Sequence, residues 1–307
     1  MKKILVLNCG SSSVKYSLFE DKEFLFEGKM EKIGEPQSKI KNHDVAIELM
    51  LKQIIDSRKI NSLSEIQAVG NRVVHGGEIS KSCIINKKVI NVIKRYSSLA
   101  PLHNPVNLKG ILSIKKLLPK VPQVAVFDTA FHQTMPEKAL VYPLSFDLYK
   151  KGIRKYGFHG TSHHYVAMEA AKIMKNKFQK LNLITCHLGN GCSITAIKKG
   201  KVVDTSMGFT VLEGLMMGTR AGDIDPGIVF HLMKTMSAKE VSDLLYRKSG
   251  LAGISGKGKD MRSILVGYKK KNKRCQLALE MFCYRIKKYI AAYIGVLGKV
   301  DGIVFTA

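Results

Sequence analysis

The chain carries an imperfect internal repeat, which restricts the fold to a duplicated one. Residues 4–20 read ILVLNCGSSSVKYSLFE and residues 182–199 read NLITCHLGNGCSITAIKK. Each is a short apolar run rich in β-formers, a turn of Gly, Ser or Asn, and a second run of alternating character. Gly10 lies against Gly189, Asn8 against His187, and Ser11, Ser12 and Ser13 against Asn190, Gly191 and Cys192. A turn of such small residues presents backbone N–H groups and hydroxyls with little side chain in the way, as close approach of a phosphate chain requires. A single Gly-rich turn marks any hairpin. Two in register, one per half, point to a duplicated protein that grips one phosphorylated ligand in a cleft between its halves.

With 307 residues, 45% of them apolar, the chain is long enough for two domains with cores of their own. No apolar run is long enough to span a bilayer; the best, Tyr289–Val300, is short and follows Lys287 and Lys288. Met1-Lys2-Lys3 leads straight into a strand pattern rather than a signal peptide. Cys9, Cys83, Cys186, Cys192, Cys275 and Cys283 show no C-x-x-C spacing, so buried free thiols in a reducing cytoplasm are expected. The net charge of +26 comes mainly from scattered lysines, with one dense run at Lys269–Arg274. No aromatic residues interleave with that run to stack on bases, so it reads as a solvated stretch before a helix. Negatively charged substrates account for the charge. Neither a nucleic-acid partner nor a membrane is expected.

Strands are predicted over 3–8, 14–19, 23–30, 66–74 and 121–127, with a helix over 43–55. Another helix is predicted from Asn104, with Asn104 as its N-cap and Pro105 in its first turn. The second half repeats the hairpin strands over 181–187, 193–198 and 201–204. Helices are predicted near 163–174, capped by Thr161 and Ser162, and near 226–234, 238–248 and 274–294. Val300–Thr306 reads as a central strand. The class is α/β.

Polar residues collect at strand ends and in Gly-rich turns, where sites are assembled. Arg72 lies inside an apolar strand, so it is either paired across strands or turned to a cleft. Asp128 closes a strand, as a cap or as a functional carboxylate. His159 and His163 have a spacing open to metal, but no Cys or Asp lies nearby in sequence to complete a ligand set. A histidine just before a helix N-terminus suits an anion better. Arg220, flanked by Gly218 and Gly222, has no evident packing role. Gly253–Arg262 forms a further Gly-rich turn with charges suited to a nucleotide, although it is not a P-loop and G-x-G-x-x-G is absent.

The segments NCGSSSVKY, RVVHGGE, LAPLHNP, VFDTAFHQTMP, RKYGFHGTSH, HLGNG, GFTVLEGLMMGTRAGDIDPG, GISG and DMR, in this order along the whole chain, resemble the acetate kinase family of the acetate and sugar kinase/Hsc70/actin superfamily. The resemblance implies a duplicated actin-like ATPase (ribonuclease H-like) fold with two lobes around a cleft. Residues 1–148 would form a lobe with acetate-site and Mg²⁺ residues, and 149–307 a nucleotide-binding lobe lacking its final segment. It implies reversible, ATP-dependent phosphorylation of acetate to acetyl phosphate by direct in-line transfer, with a propionate-preferring kinase as the alternative within the family. Arg72 would hold the acetate carboxylate, Asp128 would orient or deprotonate the acid, and Arg220 with His159 would stabilise the phosphoryl group in flight. Asn8 corresponds to a Mg²⁺-site residue, with Mn²⁺ as a substitute ion. Ser11, Ser13, Lys15, His187, Leu188, Gly189, Asn190 and Gly191 correspond to the ATP-phosphate grip, and Asp260, Met261 and Arg262 to a nucleotide-binding segment. Val74, Leu102 and Phe158 resemble an apolar pocket for the methyl group. A homodimer is the family expectation.

The chain departs from the family pattern at a few places. Asn71 replaces a histidine before Arg72, Val211 a proline in FTPLEG, and Ala221 a serine after Arg220, while Gly258 and Lys259 interrupt the serines before Asp260. Family members continue past FTA with a nucleotide loop and a second Mg²⁺-site residue. The resemblance therefore implies either a kinase completed in some other way, as by a separate polypeptide, or a truncated, non-catalytic remnant. Severe impairment of this polypeptide alone is expected.

Overall fold

Alternation of buried and exposed residues builds the first sheet. In β1 (Lys3–Gly10) Leu5, Leu7 and Cys9 turn inward, and in β2 (Ser13–Glu20) Val14, Tyr16 and Leu18 do the same. The two strands form an antiparallel hairpin, from Lys3 opposite Glu20 to Gly10 opposite Ser13, and β3 (Glu23–Met30) pairs on with β2. The chain then crosses through α1 (His43–Asp56), capped by the Asn42 side chain, and returns as β4 (Ile66–Val73) parallel to β1. After β5 (Cys83–Ile84), α2 (Lys87–Arg95) and α3 (Asn104–Leu117), β6 (Gln123–Phe127) adds parallel to β4. The sheet order is β3-β2-β1-β4-β6-β5. Ala46, Ile47, Met50 and Ile54 of α1 pack with Leu5, Leu7 and Leu18 in one core, while Ile93 and Ile111 pack with Val73 and Phe127 in another.

The structure, a computed structural model, describes residues 1–101 and 103–307; Leu102, expected in the methyl pocket, lies outside the described residues. The chain divides into two units, Met1–Ala130 and Phe131–Ala307. The second opens with the short helices α4 (Glu137–Leu140) and α5 (Phe146–Lys150) and the longer α6 (Gly160–Ile173). Its strands β7 (Asn182–Leu188), β8 (Cys192–Lys198) and β9 (Lys201–Thr205) form an antiparallel meander. The helices α7 (Pro226–Leu232), α8 (Ala238–Arg247), α9 (Gly250–Ser255), α10 (Met261–Lys269) and α11 (Lys273–Leu297) precede β10 (Gly302–Thr306), which pairs parallel to β7. The order β10-β7-β8-β9 reproduces β4-β1-β2-β3 of the first unit, so the sequence repeat is a repeat of topology.

Several local expectations are corrected. Asn104 does not cap α3: it is the first helical residue, and its side chain instead accepts from the His75 N–H and donates to the carbonyls of His75 and Ile93. Thr161 and Ser162 lie within the first turn of α6, which starts earlier, behind His159. The Gly-rich turn is confined to residues 256–260, since α9 runs to Ser255 before Gly256 (φ +65°) and α10 starts behind Asp260. Arg274 of the basic run donates to the carbonyls of Gly253 and Ile254, as cations do at helix C-termini. The thiols are free, but Cys283 is exposed and Cys83 half-buried, against the expectation that all six are buried. Burial pushes Cys9, Cys186 and Cys192 up to about 12.

The Asn104 amide is buried and holds the turn that follows β4. Asn104→Ala strands the His75 N–H away from water and is expected to cost about 2–3 kcal/mol. The urea midpoint measures it, and a loss under about 0.5 kcal/mol would mean that the turn is held by other groups.

Candidate active site

In the first unit β4 and β6 run parallel, with Arg72 beside Val126 and Val73 beside Phe127, so both strands end at the same level. Arg72 there meets Asp128 through two parallel hydrogen bonds, Nε to Oδ1 at 3.0 Å and Nη2 to Oδ2 at 2.6 Å. Its third nitrogen, Nη1, donates to Asn8 Oδ1 at 3.3 Å. The Asp128 side chain is 1% exposed and the Arg72 side chain 35%, so Arg72 is at once the inter-strand partner and a partly exposed cation. The Asp128 charge raises the Arg72 pKa further. Lys15 stands opposite Asn8 in the β1–β2 register, and Ser11 and Ser13 form the hairpin turn.

Val74 is buried just past β4. Its N–H donates to Asn107 Oδ1, and Asn107 Nδ2 donates to the Cys9 carbonyl, tying the ends of β1 and β4 to α3. The Gly76 N–H donates to Thr129 Oγ1, which joins the same turn to the segment after β6. Asn107 and Thr129 were not singled out by the sequence reading; Asn107 follows Asn104 at a helical spacing of three on the buried face of α3, and that pair of amides is the signal that could have found it. Asn71, which stands where the family has a histidine, is buried and donates to Gln123 Oε1 across to β6.

In the second unit His159 precedes α6 with a left-handed backbone, φ +59° and ψ +19°. Gly157 before it has φ +73°, and any side chain there would run into Thr205 and His132, so glycine is required. His159 Nδ1 lies 2.9 Å from Ser193 Oγ, and its ring lies 4.2 Å from that of His187. Ser162 Oγ holds His187 Nδ1 at 2.9 Å. The turn 188–191 runs beside these rings: a Cβ on Gly191 would sit 3.2 Å from Arg220 Nη1 and 3.4 Å from His159 Nε2. Two nitrogen donors thus converge over a residue without a side chain.

Arg220 Nη1 donates to the Val211 carbonyl at 3.2 Å, and burial lowers the Arg220 pKa, as expected of a cation poor in anionic partners. The arginine loop is tied to the turn by Gly218 N–H donating to the Asn190 carbonyl. It is anchored further by Asp223, whose carboxylate accepts from Gly214 N–H at 2.7 Å and from Tyr289 OH of α11 at 2.5 Å. Phe158 is buried, its carbonyl 2.9 Å from His132 Nε2, and Leu188 and Gly189 close β7 half-buried. Asp260 caps α10, with Met261 as its first residue, and pairs with Arg262 at 2.6 Å, which holds the Asp260 carboxyl down at about 2.

The first unit therefore gathers Asn8, Lys15, Arg72 and Asp128, and the second gathers His159, His187, Asn190, Gly191 and Arg220. Asp260, Met261 and Arg262 form a separate group at the head of α10. No group of three His, Cys, Asp or Glu side chains suited to a metal occurs among the described residues. Asn8 Oδ1 and the Asp128 carboxylate, both beside the Arg72 guanidinium, are hard oxygen donors of the kind Mg²⁺ takes, and that ion needs only one or two protein oxygens when phosphates and waters complete its shell.

Comparison with known proteins agrees with this geometry. The profile of the Acetokinase family matches residues 3–307. The acetate kinase of Caldicellulosiruptor saccharolyticus is 50% identical over 328 residues, covering 99% of this chain and 82% of that protein. That of Halothermothrix orenii is 51% identical over 329 residues, covering 99% and 83%. Among solved structures, Porphyromonas gingivalis acetate kinase superposes with a TM-score of 0.92 at 47% identity, over 99% of this chain and 82% of that one. A propionate kinase from Francisella tularensis superposes with a TM-score of 0.93 at 43% identity, over 99% and 83%. The fold is thus the actin-like ATPase type of these kinases. No helix among the described residues is long and apolar enough to cross a membrane. With a family profile matched along nearly its whole length and half its residues shared with acetate kinases, the chain belongs to the acetokinase family.

Proposed function

We propose that the protein phosphorylates acetate with ATP, reversibly, forming acetyl phosphate and ADP in the cytoplasm, and that it works as a homodimer. The observation that carries this reading is the convergence of His159 Nε2 and Arg220 Nη1 over Gly191. A transferring phosphoryl group spreads negative charge over three oxygens, and its catalysis is mostly positioning and neutralisation. Donors above a bare turn suit those oxygens. The N–H groups of 187–191 suit the rest of the phosphate chain, and Asp260, Met261 and Arg262 suit the nucleoside.

Arg72 binds the acceptor carboxylate through its exposed edge while Asp128 holds its other edge. Asp128 thereby sets the orientation of the acid. An acetate oxygen attacks the γ-phosphorus in line, the bond to the ADP oxygen breaks, and no proton need move, because acetate is already ionised at neutral pH. Asn8, with Asp128 nearby, would hold Mg²⁺, or Mn²⁺ in its place. When bound, that ion neutralises charge on the phosphate oxygens.

Incubation with ATP, Mg²⁺, acetate and hydroxylamine, trapping acetyl phosphate as the hydroxamate, tests the reading. Hydroxamate is expected from the wild type. Asp128→Asn, which keeps the shape but removes the negative charge facing Arg72, should lower kcat/KM by roughly 100-fold or more. Equal rates from the two proteins would refute the role given to the pair. Comparing the wild-type rate with the roughly 1–100 s⁻¹ of kinases measures whether the chain is impaired. Propionate adds one methylene, a small difference for an apolar contact to discriminate, so its kcat/KM should fall by roughly 10- to 200-fold without vanishing. A preference for propionate in direct competition would favour the other substrate of the family.

A further inference from the structure

The hydrogen bonds at His159 continue inward. The Ser193 hydroxyl that lies 2.9 Å from His159 Nδ1 also lies 2.7 Å from His163 Nε2, and His163 Nδ1 lies 2.7 Å from Thr185 Oγ1. Thr185, His163 and Ser193 are fully buried. They come from three elements, β7, α6 and β8, and β7 and β8 pair directly with Thr185 opposite Thr195 and His187 opposite Ser193.

Proton counting leaves two arrangements. Each hydroxyl has one hydrogen to give, and a neutral imidazole has one N–H and one bare nitrogen. In one arrangement Thr185 donates to His163 Nδ1, His163 Nε2–H donates to Ser193, and Ser193 donates to His159 Nδ1. In the other, every bond is reversed. The first leaves the His159 proton on Nε2, the nitrogen beside Gly191. The second leaves a lone pair there, which repels phosphoryl oxygens unless the ring takes a second proton. We propose that Thr185, His163 and Ser193 form a one-directional hydrogen-bond relay that holds His159 as its neutral Nε2–H tautomer, ready to donate to the phosphoryl group. The direction of the relay and its use in catalysis rest on the phosphoryl-transfer reading above; the chain of hydrogen bonds does not.

The surroundings keep the relay neutral. Burial pushes the His163 pKa well below its usual value, and the rings of His132 and His187, at 5.8 and 6.3 Å, disfavour a charge there as well. A neutral His163 can pass a hydrogen bond but cannot become a second cation behind His159. The His187 ring, tilted by 33° with its centroid 4.2 Å away, packs against the His159 imidazole, and the Ser193 hydroxyl meets its Nδ1. Ser193 and His163 act on the reaction only through His159, which makes them positioning residues.

Long-range ¹H–¹⁵N correlation spectra of ¹⁵N-histidine-labelled protein distinguish protonated from bare ring nitrogens, with His159 assigned through His159→Gln. The expected wild-type pattern is bare Nδ1 and protonated Nε2. In Ser193→Ala the pattern should become a mixture of tautomers, and Ser193→Thr, which keeps the hydroxyl, should restore it. In the hydroxamate assay Ser193→Ala should lose about ten- to a hundredfold in kcat, with KM for acetate within about twofold. A wild-type His159 protonated at Nδ1, or a pattern indifferent to Ser193→Ala, overturns the relay. Should Ser193→Ala not fold, the wild-type spectrum alone decides. The expected tautomer in a protein that forms no acetyl phosphate would overturn the proposed reaction and leave the relay standing; acetyl phosphate with the reversed tautomer would do the opposite.

Discussion

A carboxylate with 1% of its surface exposed cannot remain ionised without a partner, and in this chain that partner is Arg72, across the ends of two parallel strands. The constraint reaches far into the first unit. It requires β4 and β6 to end together, brings Asn8 of β1 to the third guanidinium nitrogen, and places the following turn where Asn104, Asn107 and Thr129 can hold its backbone. Such a pair adds little net stability, since apolar residues of similar volume often do as well or better. Breaking it by removing one partner is far more costly, about 3–5 kcal/mol when fully buried and less here because the guanidinium is partly exposed. An arrangement dear to lose and of little net benefit to stability is better explained by a pre-organised, solvent-facing arginine than by stability.

The second unit repeats the strand plan with different chemistry at the matching places. Where β1 and β2 carry Asn8 and a serine turn, β7 and β8 carry His187 and a turn of Gly189, Asn190 and Gly191. The sheet below is an apolar platform that includes Leu183, Ile184, Ile194 and Ile197, with the buried hydroxyls of Thr185, Ser193, Thr195 and Thr205 set into it. Buried hydroxyls must find partners. Those of Thr185 and Ser193 find His163 of α6, and Thr195 finds Thr205 on β9. The arginine loop is fixed from the other side, where Asp223 is held by Tyr289 and the Asp223 carbonyl by Arg285, both on α11. Long helices are good supports for a loop whose glycines give it no rigidity of its own, such as Gly214 and Gly222 at positive φ.

Both hairpins, the crossover helix α1 and the turns at Gly10 and Gly189 were legible in the sequence because their signals are local: alternation, turn residues and helix caps act over a few neighbours. Arg72 and Asp128 stood out as charges at strand ends, and the structure satisfies both readings of the arginine at once, as a paired group and as an exposed one. Asn104 shows where local reasoning fails. Asn followed by Pro is a good cap signal, yet the amide is spent on His75 and Ile93, which a cap rule cannot see. Ser162 was likewise read as a cap and instead holds His187. Asn71 looked like a lost histidine and is a buried amide partner of Gln123.

The sequence by itself determined the duplicated α/β plan, the family, and which residue types stand at the strand ends and in the bare turns, because those features are written in short motifs and periodicities. Tertiary structure alone decided which polar atoms meet: Asn107 with Cys9, Arg72 with Asp128, and Ser193 between two histidines. Those partners lie tens of residues apart in the chain. A hydrogen bond is directional and spans about 3 Å, so no spacing rule within the sequence can select one distant partner over another until the sheets have set the registers.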